Sequence, residues 1–152
     1  MKILNKFQIQ EVDRQTITKE AISSIQLMER SATACRDWII DKYDDNKRFN
    51  LLCGTGNNGG DGLALYRLLI EKNYLCTLYE FSLGDKTSKD YIENKRKIKT
   101  CDIKKLTTEA LSRISTKDHI IYALLRTGLN RPVTGQLKKV IQCLNALPNT
   151  II

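Results

Sequence analysis

The sequence predicts an α/β protein with a three-layer α/β/α fold, in which a mostly parallel central sheet is preceded by N-terminal helices. Short apolar runs with the length of strands alternate along the chain with longer segments of helical periodicity. Alternation of this kind is typical of a parallel sheet covered by helices on both faces. The chain has 152 residues, and domains commonly contain ~100 to 200, so we expect one domain over residues 1–152.

Two helices are expected first. Between residues 8 and 19 the apolar side chains are thinly spaced, which predicts a short, partly exposed helix. Between residues 24 and 42 they recur at intervals of three and four, which predicts a longer helix with one apolar stripe. A charged loop over residues 41–48 follows.

A strand, a turn, a helix and a second strand are expected next. The apolar run over residues 49–53 ends at Gly54, which is typical of a buried strand that leads into a glycine turn. The following helix is expected to begin at about Gly60 and to be apolar on nearly all sides. Residues 74–81 alternate and are rich in aromatic side chains, which predicts the second strand.

The remaining elements continue the same alternation. Residues 88–100 predict an exposed basic helix, and residues 107–114 a shorter helix. Residues 119–125 predict the third strand, and residues 134–144 carry apolar side chains at helical spacing. Residues 150–152 predict the beginning of a fourth strand.

Composition excludes several classes of protein. The chain is 41% apolar and 28% charged, as expected of a globular domain. It contains no run of ~18 apolar residues that would predict a membrane helix, and its N-terminus lacks the apolar stretch of a secretion signal. The five cysteines are widely spaced and form no Cys-x-x-Cys pair, which favours free thiols in the cytoplasm. His119 is predicted to be a strand residue rather than a metal ligand.

The formal charge of +8 raises the alternative of a polyanion-binding protein, because clustered lysines and arginines neutralise phosphates. Much of the lysine, however, lies between residues 86 and 105, where it is interleaved with acidic residues. Mixed charges on one segment usually form a solvated helix face. We therefore expect neither a nucleic-acid partner nor a membrane partner.

The glycine-rich segment over residues 54–62 is the most informative part of the sequence. Five of its nine residues are glycine, which is costly in chain entropy, so we expect positive φ angles or close approach to a ligand. A helix that begins here directs its unpaired N–H groups and the positive end of its dipole at that ligand, which favours phosphate or pyrophosphate. The alternative is that the glycines only allow a tight strand-to-helix turn to pack.

This segment also matches the dinucleotide fingerprint of a Rossmann-like fold through Gly54, Gly56 and Gly59. Glu80, at the end of the second predicted strand, stands about 20 residues further on, where an acid that binds ribose is expected. An ordinary NAD-dependent enzyme is therefore one alternative. The other interpretation of Glu80 is a solvent-exposed carboxylate at a strand end.

Three polar residues of the segment are not needed by a plain dinucleotide fold. These are Asn57, Asn58 and Asp61. Amide oxygens are suitable ligands for an alkali or alkaline-earth cation. A carboxylate at the start of a helix can cap that helix or bind hydroxyl groups.

Taken together, residues 54–62 resemble the Gly-x-Gly-Asn-Asn-Gly-Gly-Asp-Gly signature of the NAD(P)H-hydrate epimerases, the YjeF N-terminal domain family. Two further stretches are similar to this family in the same order. Residues 22–30 resemble its first long helix, and residues 127–135 resemble its second glycine loop. The similarity thus covers essentially the whole chain.

The resemblance implies epimerisation of hydrated NADH or NADPH, a damaged cofactor, in nicotinamide-nucleotide repair with a partner ADP- or ATP-dependent dehydratase. It implies that Asn57, Asn58, Gly59, Gly60 and Asp61 bind the substrate, and that Asn58 is also a ligand of a potassium ion. The resemblance also implies an opposite wall of the site, in which Arg131 faces the phosphates or lies in the loop as a surface cation. This wall consists of Arg126, Thr127, Gly128, Leu129, Asn130, Arg131 and Pro132.

Two positions depart from the family pattern. The family strand reads Asp-Ala-Leu-Phe-Gly, whereas residues 122–126 here read Tyr-Ala-Leu-Leu-Arg. Tyr122 thus replaces an aspartate that is a potassium ligand close to the reacting ring, and the sequence assigns no catalytic residue. A phenol with a pKa of about 10 is neutral at pH 7, so acid–base work and cation binding are both expected to suffer. Arg126 replaces a glycine, and it can grip a phosphate or fill the pocket.

The third departure concerns the end of the sequence. In the family the fourth strand continues into an Asp-x-Pro-Ser-Gly segment with a substrate-binding aspartate and a potassium-binding serine, and neither lies within the 152 residues. We therefore expect an incomplete domain with impaired activity that dimerises through an unfinished sheet. The alternative is an inactive nucleotide-binding or interaction module of the same fold.

Overall fold

The computed structural model describes residues 4–82, 87–125 and 132–152. Its centre is a parallel sheet of four strands in the order β3-β2-β1-β4. The strands are β1 (Arg48–Cys53), β2 (Leu75–Glu80), β3 (Ile103–Lys105) and β4 (His119–Ala123). Helices cover both faces of the sheet, as predicted, and the fold is the three-layer, Rossmann-like α/β arrangement expected from the sequence.

The two N-terminal helices are α1 (Lys6–Glu20) and α2 (Ser24–Lys42). Each begins with a capping box: Asn5 pairs with Gln8 in α1, and Ser23 pairs with Gln26 in α2. In both boxes the side chains satisfy N–H groups that the first helical turn leaves unpaired. The predicted bounds of α2 are confirmed, and α1 extends slightly beyond its predicted range.

One face of the sheet carries the larger apolar core. There α2 and α3 (Asn57–Ile70) pack on side chains of β1 and β4, and Phe49, Leu51 and Ile121 are among the buried residues. Helix α3 is buried along most of its length, which explains why its sequence is apolar on nearly all sides.

The opposite face carries a second apolar cluster under α5 (Thr108–Leu111) and α6 (Gly135–Asn145). Leu52, Ile120 and Leu124 point to this side, and Val140 and Leu144 of α6 cover them. Alternate residues of β1 and β4 therefore serve different clusters, as strand geometry requires. Helix α5 has one turn and is shorter than its predicted range.

The region after β2 differs from the prediction. The basic helix expected over residues 88–100 is α4 (Lys89–Arg96), which is shorter and buries Tyr91 and Asn94. A 3-10 turn and the edge strand β3 follow it. Strand β3 was missed because its three residues include two lysines, a composition that suits an exposed edge strand but gives no apolar signal.

The predicted beginning of a strand at residues 150–152 is confirmed by its backbone pairing. The amide of Tyr122 donates to the carbonyl oxygen of Ile152 at 2.8 Å, and the amide of Ile152 donates to the carbonyl oxygen of Ile120 at 2.8 Å. This segment lies parallel to β4. Among the described residues, no helix is both long and apolar enough to cross a membrane.

His119 lies at the start of β4, as the sequence predicts, and its ring packs between two aromatic rings. The ring centroids lie 4.5 Å from Tyr43 and 5.3 Å from Phe49. Its Nδ1 atom is buried without a hydrogen-bond partner. Desolvation lowers the pKa of His119, and the nearby Lys47 lowers it further.

We predict that replacing His119 with phenylalanine reduces the pH dependence of stability. Because the folded-state pKa of His119 lies below its unfolded value of about 6.5, its protonation favours the unfolded chain as the pH falls. This contribution to stability is present above pH ~6.5 and is lost at lower pH. Urea unfolding of the wild type and the variant at pH 7.5 and pH 5.5 measures the difference. If both proteins lost the same stability between pH 7.5 and pH 5.5, the assignment of this pH dependence to His119 would be contradicted.

Candidate functional site

The candidate site is a cavity at the point where the order of the strands reverses. From β1 the chain proceeds to β2 and β3 on one side, whereas β4 lies on the other side of β1. Ligands of open α/β sheets bind at such a switch point, outside the carboxyl ends of the strands. The cavity here has a volume of about 790 Å³, which lies within the range of ~300–1,000 Å³ common for small-molecule sites.

The glycine-rich segment supplies one wall of this cavity, but α3 begins earlier than predicted. The helix starts at Asn57 rather than at about Gly60. Asn57 and Asn58 therefore lie in the first helical turn and Asp61 in the second, and all three residues line the cavity. Gly56 is the N-cap and provides no side-chain hydrogen bond. The first N–H groups of α3 thus have no side-chain cap, which favours polar or anionic groups of a ligand.

The glycines allow α3 to pack closely on the protein itself. A Cβ atom on Gly59 would lie 1.7 Å from the carbonyl oxygen of Gly54, and one on Gly62 would lie 2.6 Å from Sγ of Cys53. A Cβ atom on Gly60 would lie 3.0 Å from Sδ of Met28. None of the glycines in residues 54–62 has a positive φ, so the first of the two expected reasons for these glycines was wrong, and the close approach of a ligand stays a prediction. Close packing of the strand-to-helix turn accounts for these three glycines.

Gly56 differs from the other glycines of this turn. A Cβ atom built on it would meet nothing within 4 Å, and its φ of −94° is accessible to any residue. It faces open space at the start of α3. The two predicted roles for the glycines are packing of the turn and close approach of a ligand. At Gly56 a ligand has room to approach the backbone closely.

Hydrogen bonds join the start of α3 to the end of β4. Nδ2 of Asn58 donates to the carbonyl oxygen of Leu125 at 3.1 Å. The amide of Gly54 donates to the carbonyl oxygen of Ala123 at 3.0 Å. These two contacts fix the glycine turn against β4, and the planar amide of Asn58 then directs its oxygen away from Leu125.

Tyr122 lies where the resemblance places the family aspartate, and it lines the same cavity as Asn58 and Asp61. Its ring also packs against the apolar cluster beneath α6. Partial burial raises the pKa of Tyr122 above its usual value of 10. The group is therefore neutral at pH 7 and supplies no negative charge to the cavity.

Helices α1 and α2 form a wall of the cavity that sequence reasoning missed. Ile9, Asp13 and Ile17 of α1 line it at successive intervals of four residues, so they share one face of that helix. Trp38 of α2 lines it as well and is 46% exposed. The interval of four was visible in the sequence, but it indicates only a shared face and not what that face contacts.

Another carboxylate of this wall comes from the beginning of α4. Asp90 lines the cavity and accepts a hydrogen bond from Oγ of Ser24 at 3.0 Å. On the α2 side, partial desolvation and the carboxylate of Asp61 raise the pKa of the Cys35 thiol. Asp13, Asp61 and Asp90 thus surround the cavity from three different helices.

Glu80 does not line the cavity. Its Oε2 atom accepts hydrogen bonds from the hydroxyl of Tyr91 and from Nζ of Lys95, the latter at 2.5 Å. Both partners belong to α4. These hydrogen bonds anchor α4 to the end of β2, and the Glu80 side chain is only 20% exposed. The interpretation of Glu80 as a solvent-exposed carboxylate was therefore wrong, whereas its role as a ribose ligand stays a prediction.

Part of the predicted site falls outside the described residues. These positions are Arg126, Thr127, Gly128, Leu129, Asn130 and Arg131. Pro132 is described and is exposed, but it is absent from the cavity wall that the described residues form.

Comparisons with known proteins agree with this geometry. A family model described as YjeF-related protein N-terminus matches residues 24–152. An NAD(P)H-hydrate epimerase of Lentilactobacillus buchneri is 34% identical over 138 residues, which cover 90% of this chain and 63% of the relative. One from Rhodobacter capsulatus is 31% identical and is covered over 66% of its length. The chain thus spans somewhat less than two thirds of these relatives.

Two further comparisons extend the similarity. A bifunctional NAD(P)H-hydrate repair enzyme of Dictyoglomus turgidum is 30% identical over the whole of this chain, which covers 30% of that enzyme. The crystal structure of the yeast protein ynu0 has a TM-score of 0.73 at 19% identity, with 99% of this chain and 68% of the yeast chain covered. The yeast structure supports the fold.

We predict that Gly59→Ala destabilises the protein by about 2–4 kcal/mol, because the new methyl group overlaps the carbonyl of Gly54 and forces α3 away from β1. Gly56→Ala is the matched control and should cost less than about 1 kcal/mol, since its methyl group enters open space at an N-cap. Denaturant unfolding of both variants measures the difference. Equal losses of stability would contradict the role assigned to Gly59.

Proposed function

Because the chain belongs to the family of YjeF-related protein N-termini, we propose that it catalyses epimerisation of hydrated NADH and NADPH in nicotinamide-nucleotide repair. The observation that carries this proposal is the cavity at the switch point between β1 and β4, which is lined by Asn57, Asn58 and Asp61. The names of the curated relatives supply the substrate class.

The geometry supports binding of a nucleotide with a polar, ring-containing end. The first turn of α3 offers backbone N–H groups without a side-chain cap, and the side chains of Asn57 and Asn58 add amide donors and acceptors. The described wall also contains Leu27, Met28 and Leu65, whose apolar surfaces suit a flat ring. This combination is typical of a pocket in which a few polar groups orient a largely apolar contact.

Asp61 is the side chain to which we assign proton transfer. Inversion of a carbon that carries a hydroxyl group adds and removes no atoms overall, but a proton must reach the departing oxygen and leave the returning one. A carboxyl group can perform both transfers. Asp61 is half-buried, lines the cavity and lies next to Asn57 and Asn58 on α3.

We propose that the protein binds a potassium ion weakly or not at all. Asn58 has an amide oxygen to offer, because its nitrogen is the atom that the Leu125 carbonyl holds, but Tyr122, whose ring packs against the apolar cluster beneath α6, supplies no carboxylate. Within the described ranges, no three His, Cys, Asp or Glu side chains are grouped as a metal site. These donors do not fit a tightly held cation, so no step of the reaction is assigned to one.

A second candidate is a nucleotide-binding or interaction module without turnover. Tyr122 favours it, because a neutral phenol at the position of the family aspartate supplies no negative charge. Retained binding of the hydrated nucleotide without exchange of its epimers would identify this function.

The proposal also covers the partners of the protein and its cellular compartment. The similarity to a bifunctional repair enzyme supports cooperation with an ADP- or ATP-dependent dehydratase that consumes the epimer formed here. All five cysteines are free thiols, which supports a reducing compartment such as the cytoplasm. A homodimer is also proposed, with the apolar side chains exposed on α1, such as Phe7 and Val12, as candidate contacts.

We predict that the protein exchanges the two epimers of hydrated NADPH. Chromatography that separates the two epimers measures this exchange. Asp61→Asn should lower kcat by about 10²-fold or more because the amide cannot accept a proton. Asp37→Asn is the control, since Asp37 is exposed on α2 and pairs with Arg36. Absence of exchange in the wild type would refute the activity, and an unchanged kcat in Asp61→Asn would refute the role of this carboxylate.

A melting experiment tests the potassium site. We predict that replacing sodium with potassium at constant ionic strength leaves the Tm of the wild type unchanged. Tyr122→Asp should introduce a potassium-dependent rise in Tm, because a ligand that binds only the folded state stabilises it. Tyr122→Asn is the control without the new charge. A rise in the wild type itself would show that the existing donors already hold the cation.

A further inference from the structure

The cavity extends along α2 beyond the start of α3. Met28 of α2 lies against the first turns of α3, since its Sδ atom would be 3.0 Å from a Cβ atom on Gly60. Trp38 lies further along the same helix, and both Met28 and Trp38 line the cavity. At a rise of ~1.5 Å per residue, these two side chains start about 15 Å apart along the helix axis. The cavity therefore continues well past the polar residues at the start of α3.

Trp38 presents an aromatic surface to this distant part of the cavity. It is 46% exposed, and an edge contact holds its ring against Tyr43, with the ring centroids 6.1 Å apart and an interplanar angle of 68°. The ring of Tyr43 in turn packs against those of Phe49 and His119, and Phe49 is buried. The indole is thus oriented by a column of aromatic rings, while much of its own surface stays open to a ligand.

A purine base suits this surface. Nucleic-acid bases stack favourably on aromatic side chains, because every base has a flat π-face. Hydrated NADH and NADPH carry an adenine at one end, and two riboses and a diphosphate separate it from the reacting ring. The reduced and hydrated nicotinamide ring is no longer aromatic, so stacking on an indole favours the adenine. The reacting ring then remains with Asn57, Asn58 and Asp61, which line the cavity from α3.

We infer that Trp38 is the surface on which the adenine of the substrate stacks, and that this contact makes the protein prefer hydrated dinucleotides to the hydrated mononucleotide. This inference rests on the proposed function and adds a specificity-determining residue to it. Trp38 touches the end of the substrate that does not react. Its contact is the same before and during the reaction, so it lowers KM and leaves kcat unchanged.

The first experiment is a fluorescence titration of the wild type with AMP. Trp38 is the single tryptophan of the chain, so the emission reports on this position alone. Stacking of adenine on the indole should quench the emission in a saturable manner. Ribose 5-phosphate, which lacks the base, should leave the emission unchanged. Absence of saturable quenching by AMP, or equal quenching by ribose 5-phosphate, would overturn the inference.

This titration requires no turnover. It therefore decides the inference even if the protein exchanges no epimers, an outcome that would refute the proposed function.

The second experiment compares epimer exchange for hydrated NADH and for the hydrate of reduced nicotinamide mononucleotide, which has no adenine. Trp38→Ala should raise KM for hydrated NADH by about five- to a hundredfold and leave kcat nearly unchanged, because the stacking of one base contributes an effect of this size. KM for the mononucleotide hydrate should stay within about twofold of the wild-type value. Trp38→Phe should retain most of the affinity for hydrated NADH, since a phenyl ring also stacks.

Ile40→Ala is the matched control for these measurements. Ile40 is 40% exposed on the same helix and does not belong to the described cavity wall, so its replacement should change neither KM value. If Trp38→Ala does not fold, Trp38→Leu takes its place, because leucine keeps an apolar contact with Tyr43 but has no flat ring.

An unchanged KM for hydrated NADH in Trp38→Ala would overturn the inference. An equal rise in KM for both substrates would also overturn it, since the reacting half and not the adenine would then contact Trp38. In either case, exchange by the wild type would leave the proposed function intact.

Discussion

The site depends on the close approach of α3 to the end of β1. The carbonyl oxygen of Gly54 occupies the space that a Cβ atom on Gly59 would need, and Gly62 permits a similar approach to Cys53 at the junction with β4. Any larger side chain at these positions would move the helix outward. The first turn of α3 would then no longer meet β4, and the hydrogen bond from Asn58 to Leu125 would be lost.

This packing explains why a glycine-rich segment can resemble a phosphate loop and yet line a cavity with acidic side chains. Most of its glycines are required by contacts within the protein, and Gly56 alone of those described there faces open space. The polar positions between the glycines remain available for a ligand. Asp61 thus lines the cavity from the same helix whose N-terminal N–H groups favour negative charge. The N-terminus of α3 therefore suits a negatively charged or polar group of a ligand, and Asp61 suits a group that donates a hydrogen bond.

The region around α4 shows how tertiary contacts change the meaning of a motif. Glu80 occupies the position of a ribose-binding acid in sequence, but Tyr91 and Lys95 of α4 both donate to it. A carboxylate whose Oε2 atom already accepts two hydrogen bonds has fewer acceptor sites left for a sugar.

The sequence by itself determined the fold class, the order of most elements, the bounds of α2 and the segment from residue 54 to 62 that contributes to the candidate cavity. These features depend on local periodicity and on glycine, whose signals are contained in neighbouring residues. It missed β3, which is too short and too charged to show a strand pattern, and it misplaced the start of α3. Only the tertiary structure decided that α1 closes the cavity with Asp13, that Glu80 anchors α4, and that Gly59 and Gly62 serve packing. Each of these depends on contacts made in the folded chain, even where the partners are close in sequence, as Gly59 and Gly54 are, and a single sequence does not encode such contacts in its periodicity.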